Sequence, residues 1–252
     1  MKRFIPYIVF VSLLTVTFLA TGQVQLTDEQ LLQALDDARL FDDSTTGITA
    51  SIVAETLEET SEAVTQLRFK TIDGESYTRI EFLYPEELVG QVYLSTPEAT
   101  YFIGPDLDFP IKTSANSNLF GDAAVAQTSG IEFVGNYEIV ERRDILLDDE
   151  TSAIEVDLEA VDFSVAFQSI TVTVELSSLT PVKMTLYALS GLAFYDVYFE
   201  EYATNEEDVY AKLQRIENLF LEGNVTRLDI TDLTDEEFSE DLFDPQLLQS
   251  PS

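Results

Sequence analysis

An alternation of apolar and polar residues constrains the fold of this chain more than any other feature of its sequence. In the stretch "SITVTVELS", Ile170, Val172, Val174 and Leu176 are separated by hydroxyl and acidic residues, and "PVKMTLYAL" shows the same period. Successive side chains of a β-strand point to opposite faces of a sheet, so a period of two is typical of strands. The sequence therefore predicts a protein built mainly from β-sheet.

Segments with this period follow one another from about residue 47 to residue 233, and most connections between them are short. One connection is the Asp73–Gly74 pair, which is typical of a two-residue hairpin turn. Strands that are so close along the chain favour antiparallel neighbours. We expect about eleven strands in one large, strongly curved antiparallel sheet.

Two helical elements are expected beside the sheet, which makes the fold class α+β. Residues 26–43 are amphipathic, with Thr27 as the N-cap, Gln30 completing a capping box, and an apolar stripe that includes Leu31 and Leu35. Residues 104–135 interrupt the strand pattern, and a short helical stretch is expected near 117–127. The N-terminal helix and this mid-chain helical loop are expected to cover the sheet.

The N-terminus has the pattern of a secretory signal peptide, residues 1–22. A basic start is followed by an apolar run from Phe4 to Leu19 and by the small residues Ala20 and Gly22. A membrane anchor is the alternative, but the run is short and the chain becomes polar at Gln23. We expect cleavage after Gly22, export to the periplasm, and one domain from 23 to 252.

Composition excludes several functions. The chain has neither Cys nor His, so it lacks the residues of a Ser–His–Asp triad, of a thiolate nucleophile and of the usual zinc sites. With 47 acidic and 13 basic residues, its formal net charge is −34, which disfavours nucleic acid as a partner. No acidic run has the spacing and Gly of a calcium loop. We expect neither a metal nor a cofactor.

The order of several motifs resembles that of the outer-membrane lipoprotein-sorting proteins, the relatives of the periplasmic lipoprotein carrier. "TRIEFLYPEELVGQVYL" places an Arg, a Pro, a Gly and a Leu on and between predicted strands, and "TYFIGP" has an aromatic pair before a Pro. "NLFGDAAVAQ", "TPVKMTLYALSG" and "NVTRLDITDLTDEEFSEDLFDPQLL" follow in the order of the family. The resemblance spans roughly residues 27–248.

This resemblance implies an incomplete antiparallel β-barrel whose helices cover its open side and leave an apolar cavity. It also implies a non-enzymatic task, which is to hold lipoprotein acyl chains or another lipid during sorting to the outer membrane. An inner-membrane donor and an outer-membrane acceptor are the implied protein partners. An envelope regulatory or sensor module of the same fold is the alternative function, and a carboxylate-dependent hydrolase is a third.

Apolar residues of the best-matching segment are the candidate lipid-binding residues, although each of them could equally belong to an ordinary core. They are Ile80, Phe82, Val92, Leu94 and Phe102. The chain also departs from the family pattern. The early-strand Arg that latches the lid in the carrier corresponds here to Lys70 or Thr71, and the family's Trp is absent from the pair Tyr101–Phe102. Arg68, Arg79, Arg142 and Arg143 are candidates to neutralise carboxylates, or to hold a lid.

The mature protein is expected to begin near Gln23. N-terminal sequencing of the exported protein measures this directly. An intact Met1 in a membrane fraction would contradict the cleaved signal peptide.

Folding is expected to be independent of bound metal, because the acidic runs lack the ligand spacing of a calcium site. A chelator should therefore leave the melting temperature unchanged. A large decrease after chelation would reveal a cation site among the carboxylates.

Overall fold

A computed structural model describes residues 26–38, 46–124, 131–163, 165–205 and 208–249, so the expected signal peptide lies outside the described residues. Thirteen strands form one antiparallel sheet, and two short strands form a separate hairpin. The strands are β1 (Thr46–Glu55), β2 (Thr60–Ile72), β3 (Glu75–Tyr84), β4 (Val92–Ser95), β5 (Thr100–Ile103), β6 (Ile111–Thr113), β7 (Asn118–Phe120), β8 (Ala123–Ala124), β9 (Tyr137–Leu146), β10 (Ser152–Ala160), β11 (Ser169–Glu175), β12 (Pro181–Tyr187), β13 (Ala193–Asn205), β14 (Asp208–Asn218) and β15 (Val225–Asp235).

The strand order of the large sheet is β6-β5-β4-β3-β2-β1-β15-β14-β13-β12-β11-β10-β9. Each strand pairs with its neighbour along the chain, except that β1 pairs with β15 and thereby joins the two halves. The sheet is open, with β6 and β9 at its edges. The expected α+β fold, an incomplete barrel made by one large antiparallel sheet, is confirmed, with thirteen strands in place of about eleven.

Local signals account for the first hairpin and the first helix. Asp73 and Gly74 adopt φ values of 54° and 84° between β2 and β3, as the predicted two-residue turn requires. Helix α1 (Asp28–Asp37) begins at Thr27, whose side chain and that of Gln30 form the predicted capping box. The described part of the helix ends at Ala38, and the remainder of the predicted 26–43 helix lies outside the described residues.

The main hydrophobic core lies on the inner face of the sheet and includes α1. Leu31 and Leu35 of the helix pack in the same cluster as Ile52, Leu67 and Ile80 of the strands. All five side chains are almost completely buried. The helix therefore contributes its apolar stripe to the core of the sheet, as its sequence predicts.

The prediction of a short helix near 117–127 is wrong where the structure describes these residues, because 118–124 form the β7–β8 hairpin. Gly121 turns the chain with a φ of +56°, and a Cβ at this position would lie 2.6 Å from both Ala54 Cβ and Thr226 Oγ1. The backbone thus turns in close contact with the inner face of the sheet. A continuous helix would not allow this approach.

The outer face of β2–β5 is covered by residues 236–249, which we call the C-terminal strap. Phe238 and Phe243 are buried in a second cluster together with Val92 and Leu94. A 3₁₀ turn at Glu240–Phe243 lies against β2 and β3. This strap explains how strands at this end of the sheet can be apolar on both faces.

Basic side chains on the outer face fasten the strap. The Arg79 guanidinium donates to the Leu242 carbonyl at 3.1 Å and pairs with Glu81 at 2.6 Å, and Arg68 pairs with the same carboxylate. Burial by itself would raise the pKa of Glu81, but the hydrogen bonds and charges of the two arginines lower it below its ordinary value. Lys70 donates to the Phe238 carbonyl at 2.6 Å.

No helix in the described part of the chain is both long enough and apolar enough to span a membrane.

Replacement of Arg79 by Ala is expected to lower the free energy of unfolding by about 2–3 kcal/mol. It removes a largely buried cation from Glu81 and a charged donor from the Leu242 carbonyl. Urea denaturation followed by circular dichroism measures the loss. The matched control is Arg227→Ala, whose ion pair with Glu55 is more exposed on both sides and should contribute less than about 1 kcal/mol. Equal losses in the two variants would contradict a fastening role for Arg79.

Candidate functional site

The inner face of β3–β6 carries a row of apolar side chains that becomes more exposed toward the edge of the sheet. Ile80, Tyr93, Phe102 and Ile111 lie opposite one another in the strand register. Ile80 is fully buried, Tyr93 and Phe102 are partly buried with their ring centroids 4.9 Å apart, and Ile111 is half exposed. We call these four residues the apolar row. It offers accessible apolar surface on the concave side of the sheet.

A second row, two residues away along the same strands, consists of hydroxyl side chains. Thr78, Ser95, Thr100 and Thr113 are register partners across the four strands. Thr78 and Thr100 are buried, and Ser95 Oγ lies 3.5 Å from Thr100 Oγ1. We call these residues the hydroxyl row. Along each of these four strands, the inner face therefore changes from an apolar to a hydroxyl side chain between two positions that are two residues apart.

The hydroxyl row forms one wall of a cleft of about 830 Å³, within the range of about 300–1,000 Å³ that is typical of ligand pockets. Apolar side chains that follow β10 and precede β9 line the opposite side, among them Ile131, Phe163 and Val165. The Asn116 amide donates to the Ala166 carbonyl at 2.7 Å and so connects the segment after β6 to this side. The cleft thus lies where the two ends of the open sheet approach each other.

Tyr137 at the start of β9 gives the cleft a fixed polar group. Its hydroxyl donates to the Phe167 carbonyl at 2.7 Å. Burial raises the pKa of Tyr137 well above its ordinary value, and the hydrogen bond only partly opposes this shift. The phenol therefore stays neutral and acts as a structural link between β9 and the segment that precedes β11.

Helix α1 is held at both ends. Near its start, Arg142 donates to the Leu26 carbonyl at 2.9 Å and to Asp28 at 2.8 Å. Near its end, the Asp36 carboxylate accepts from the backbone amides of Phe133 and Val134 at 2.8 and 2.9 Å. Of the four arginines proposed from the sequence, Arg142 is therefore the one that contacts the covering helix. Lys70, a candidate latch, contacts the strap on the other face.

The five predicted lipid-binding residues do not lie on one surface. Ile80 and Phe82 are buried in the main core, and Phe102 is partly buried on the same inner face. Val92 and Leu94 point to the outer face and are covered by the strap. Alternation alone could not assign these faces, because β4 carries apolar side chains on both of its sides. Tyr93, which the sequence analysis missed, takes the inner position between Val92 and Leu94.

Arg143 does not approach the cleft. It lies on β9, where its guanidinium binds Glu155 and Asp157 of β10, and the hydrogen bond from Arg143 lowers the pKa of Asp157. Among the described residues, no group of three acidic side chains is arranged to hold a metal ion.

Comparisons with known proteins place this geometry in a known fold. A LolA superfamily protein from Nitrosomonas europaea superimposes with a TM-score of 0.79 at 20% identity, covering 87% of this chain and 98% of its own. A DUF1329 family protein from Desulfovibrio piger gives 0.73 at 14% identity, with 86% and 95% coverage. A domain from Vibrio parahaemolyticus described as an outer membrane lipoprotein-sorting protein gives 0.73 at 15% identity, with the same coverage.

The sequence comparisons identify the family to which the chain belongs. No curated protein sequence matches the chain significantly. A family model whose description is "Uncharacterized protein" matches residues 74–250, which is more than half of the sequence. The chain therefore belongs to the family of this model, and its fold is that of the LolA superfamily, as the resemblance to lipoprotein-sorting proteins predicts.

Proposed function

We propose that this protein is a periplasmic carrier that holds the acyl chains of lipoproteins during their sorting to the outer membrane. The observation that supports this proposal best is the apolar row, which runs from a buried core residue to a half-exposed edge residue beside a large cleft. The domain from 23 to 252 would act after removal of the signal peptide, and no catalytic step is required of it.

The physical need for such a carrier is large. A chain of about 15 methylenes costs roughly 12 kcal/mol to expose to water, at about 0.8 kcal/mol for each methylene. Partly buried Tyr93 and Phe102 and the half-exposed Ile111 provide apolar surface against which such a chain can lie. The neighbouring cleft provides room for the part of the cargo that does not fit against the sheet.

Exposed apolar hairpin tips are the surface that we propose for contact with donor and acceptor proteins. The tips lie at one end of the antiparallel strands, in the connections β1–β2, β5–β6, β10–β11, β12–β13 and β14–β15, and each carries a large apolar side chain that is more than half exposed. These side chains are Leu57, Phe109, Phe163, Leu189 and Phe220. Carboxylates adjoin most of them, at Glu58, Asp108, Asp162 and Glu222.

Some of these tips lie close to one another. The Leu57 side chain lies against Gly223, and Phe163 and Leu189 line the same cleft. A partner suited to this surface combines apolar and cationic side chains, because it must cover the tips and neutralise the adjoining carboxylates. The tips that carry Phe163 and Leu189 border the cleft, where cargo would be transferred.

Replacement of Phe102 by Asp is expected to leave the protein folded and to weaken the binding of a fluorescent fatty-acid probe by about 10–100-fold. The estimate corresponds to the loss of about 1.5–3 kcal/mol of aromatic burial against the acyl chain. Fluorescence titration measures the binding, and circular dichroism with thermal melting measures the folding.

The matched control is Phe82→Asp on the same face. Phe82 is buried in the main core, so an unpaired carboxylate there is expected to cost several kcal/mol and to unfold the chain. Wild-type protein that binds neither the probe nor a lipopeptide would overturn the carrier function. A folded Phe102→Asp variant with unchanged affinity would exclude the apolar row as the binding surface.

A further inference from the structure

The hydroxyl row has spare hydrogen-bonding capacity that the fold does not use. The Thr78 side chain is 6% exposed, and its hydroxyl makes no hydrogen bond with the described part of the chain. Thr100 is 5% exposed, and its contact with Ser95 is long, at 3.5 Å. Both threonines line the cleft, so their hydroxyls are open to it. A ligand in the cleft that supplies hydrogen-bonding groups could therefore use this capacity.

The charges around the cleft indicate that the ligand group at the hydroxyl row is neutral. Among the described residues that line the cleft, the one cationic side chain is Lys112, and its ammonium lies 5.5 Å from the centroid of the Tyr101 ring on the outer face. Glu98 and Glu132 are the acidic residues of the lining. A phosphate or carboxylate would therefore meet like charge, and the Lys112 ammonium on the outer face is poorly placed to neutralise the ligand.

The spacing of the two rows matches the structure of an amphiphile. Residues two apart on one strand lie on the same face and are separated by about 6.6–6.8 Å. The hydroxyl row and the apolar row are related in this way on all four strands β3–β6. A head group on the first row would therefore leave its acyl chain directly beside the second.

We propose that the hydroxyl row is a head-group subsite for neutral glycerol esters, whose acyl chain lies along the apolar row. This inference rests on the proposed carrier function and adds the chemical class of the head group. The hydroxyls of Thr78 and Thr100 donate to ester carbonyls, and they accept from free glycerol hydroxyls. Free fatty acids share the apolar row but are disfavoured at the hydroxyl row because of their carboxylate.

The test compares 1-monolauroylglycerol with laurate, which have the same acyl chain and differ in their head group. Isothermal titration calorimetry below the critical micelle concentration should give an affinity of the wild-type protein for the ester about tenfold higher than for laurate. In the double variant Thr78→Val/Thr100→Val, the affinity for the ester should fall about tenfold, while the affinity for laurate should stay unchanged. The preference for the ester should therefore disappear. Val keeps the β-branched shape that suits a strand.

Thr173→Val is the matched control, because Thr173 is buried in β11 opposite Lys183, outside the cleft. It should leave both affinities unchanged. If the double variant does not fold, as judged by circular dichroism, Ser95→Ala replaces it and should reduce the ester affinity alone by about threefold.

The possible results separate this inference from the proposed function. Wild-type protein that binds both compounds equally, or a folded double variant that keeps the preference for the ester, would overturn the head-group subsite and leave the carrier function standing. Wild-type protein that binds neither compound would overturn both.

Discussion

The backbone ladder between β1 and β15 is the interaction on which the rest of the structure depends. It runs over ten register pairs, from Thr46–Asp235 to Glu55–Val225, and it is the pairing that joins the two halves of the sheet. Its partners are separated by most of the chain, so its formation requires the closure of a very long loop. Other features of the fold are then positioned by it. The β7–β8 hairpin turns at Gly121 directly over the register pair Ala54–Thr226, and the strap leaves β15 beside β1 and β2.

Because basic residues are scarce, each basic side chain matters more to the structure than it would in a sequence with equal numbers of acidic and basic residues. With 13 basic residues against 47 acidic ones, most carboxylates must remain solvated. Several cations are used where a covering element meets the sheet: Arg79 and Lys70 under the strap, and Arg142 at the start of α1. The inner rows of β3–β6 are consequently apolar or hydroxylic. This separation gives a highly acidic protein a concave face that suits the neutral, apolar cargo that we propose.

The sequence predicts the class of the fold well, because alternation, the Asp73–Gly74 turn and the Thr27 capping box are local signals that agree with the final packing. It fails where tertiary contacts decide. The small residues around Ala123 favour a helix locally, but contact of Gly121 with the sheet imposes a turn. Val92 and Leu94 look like cavity residues until the strap is seen to cover them. The hydroxyl row gives no signal in the linear sequence, because its four members come together only through the register of four strands.

An open sheet suits the proposed carrier better than a closed barrel for a reason that follows from its hydrogen bonds. Entry of cargo into the interior of a closed barrel is limited to its ends, unless ladder hydrogen bonds between strands are broken. Here the sheet already ends at β6 and β9, and the apolar row reaches the β6 edge at half-exposed Ile111. In the proposed carrier, an acyl chain would therefore move sideways onto Phe102 and Tyr93 while every ladder stays intact. Because the enclosure is incomplete, part of the bound acyl chain would remain accessible to an acceptor. The free energy of its release would then stay below the roughly 12 kcal/mol of full exposure.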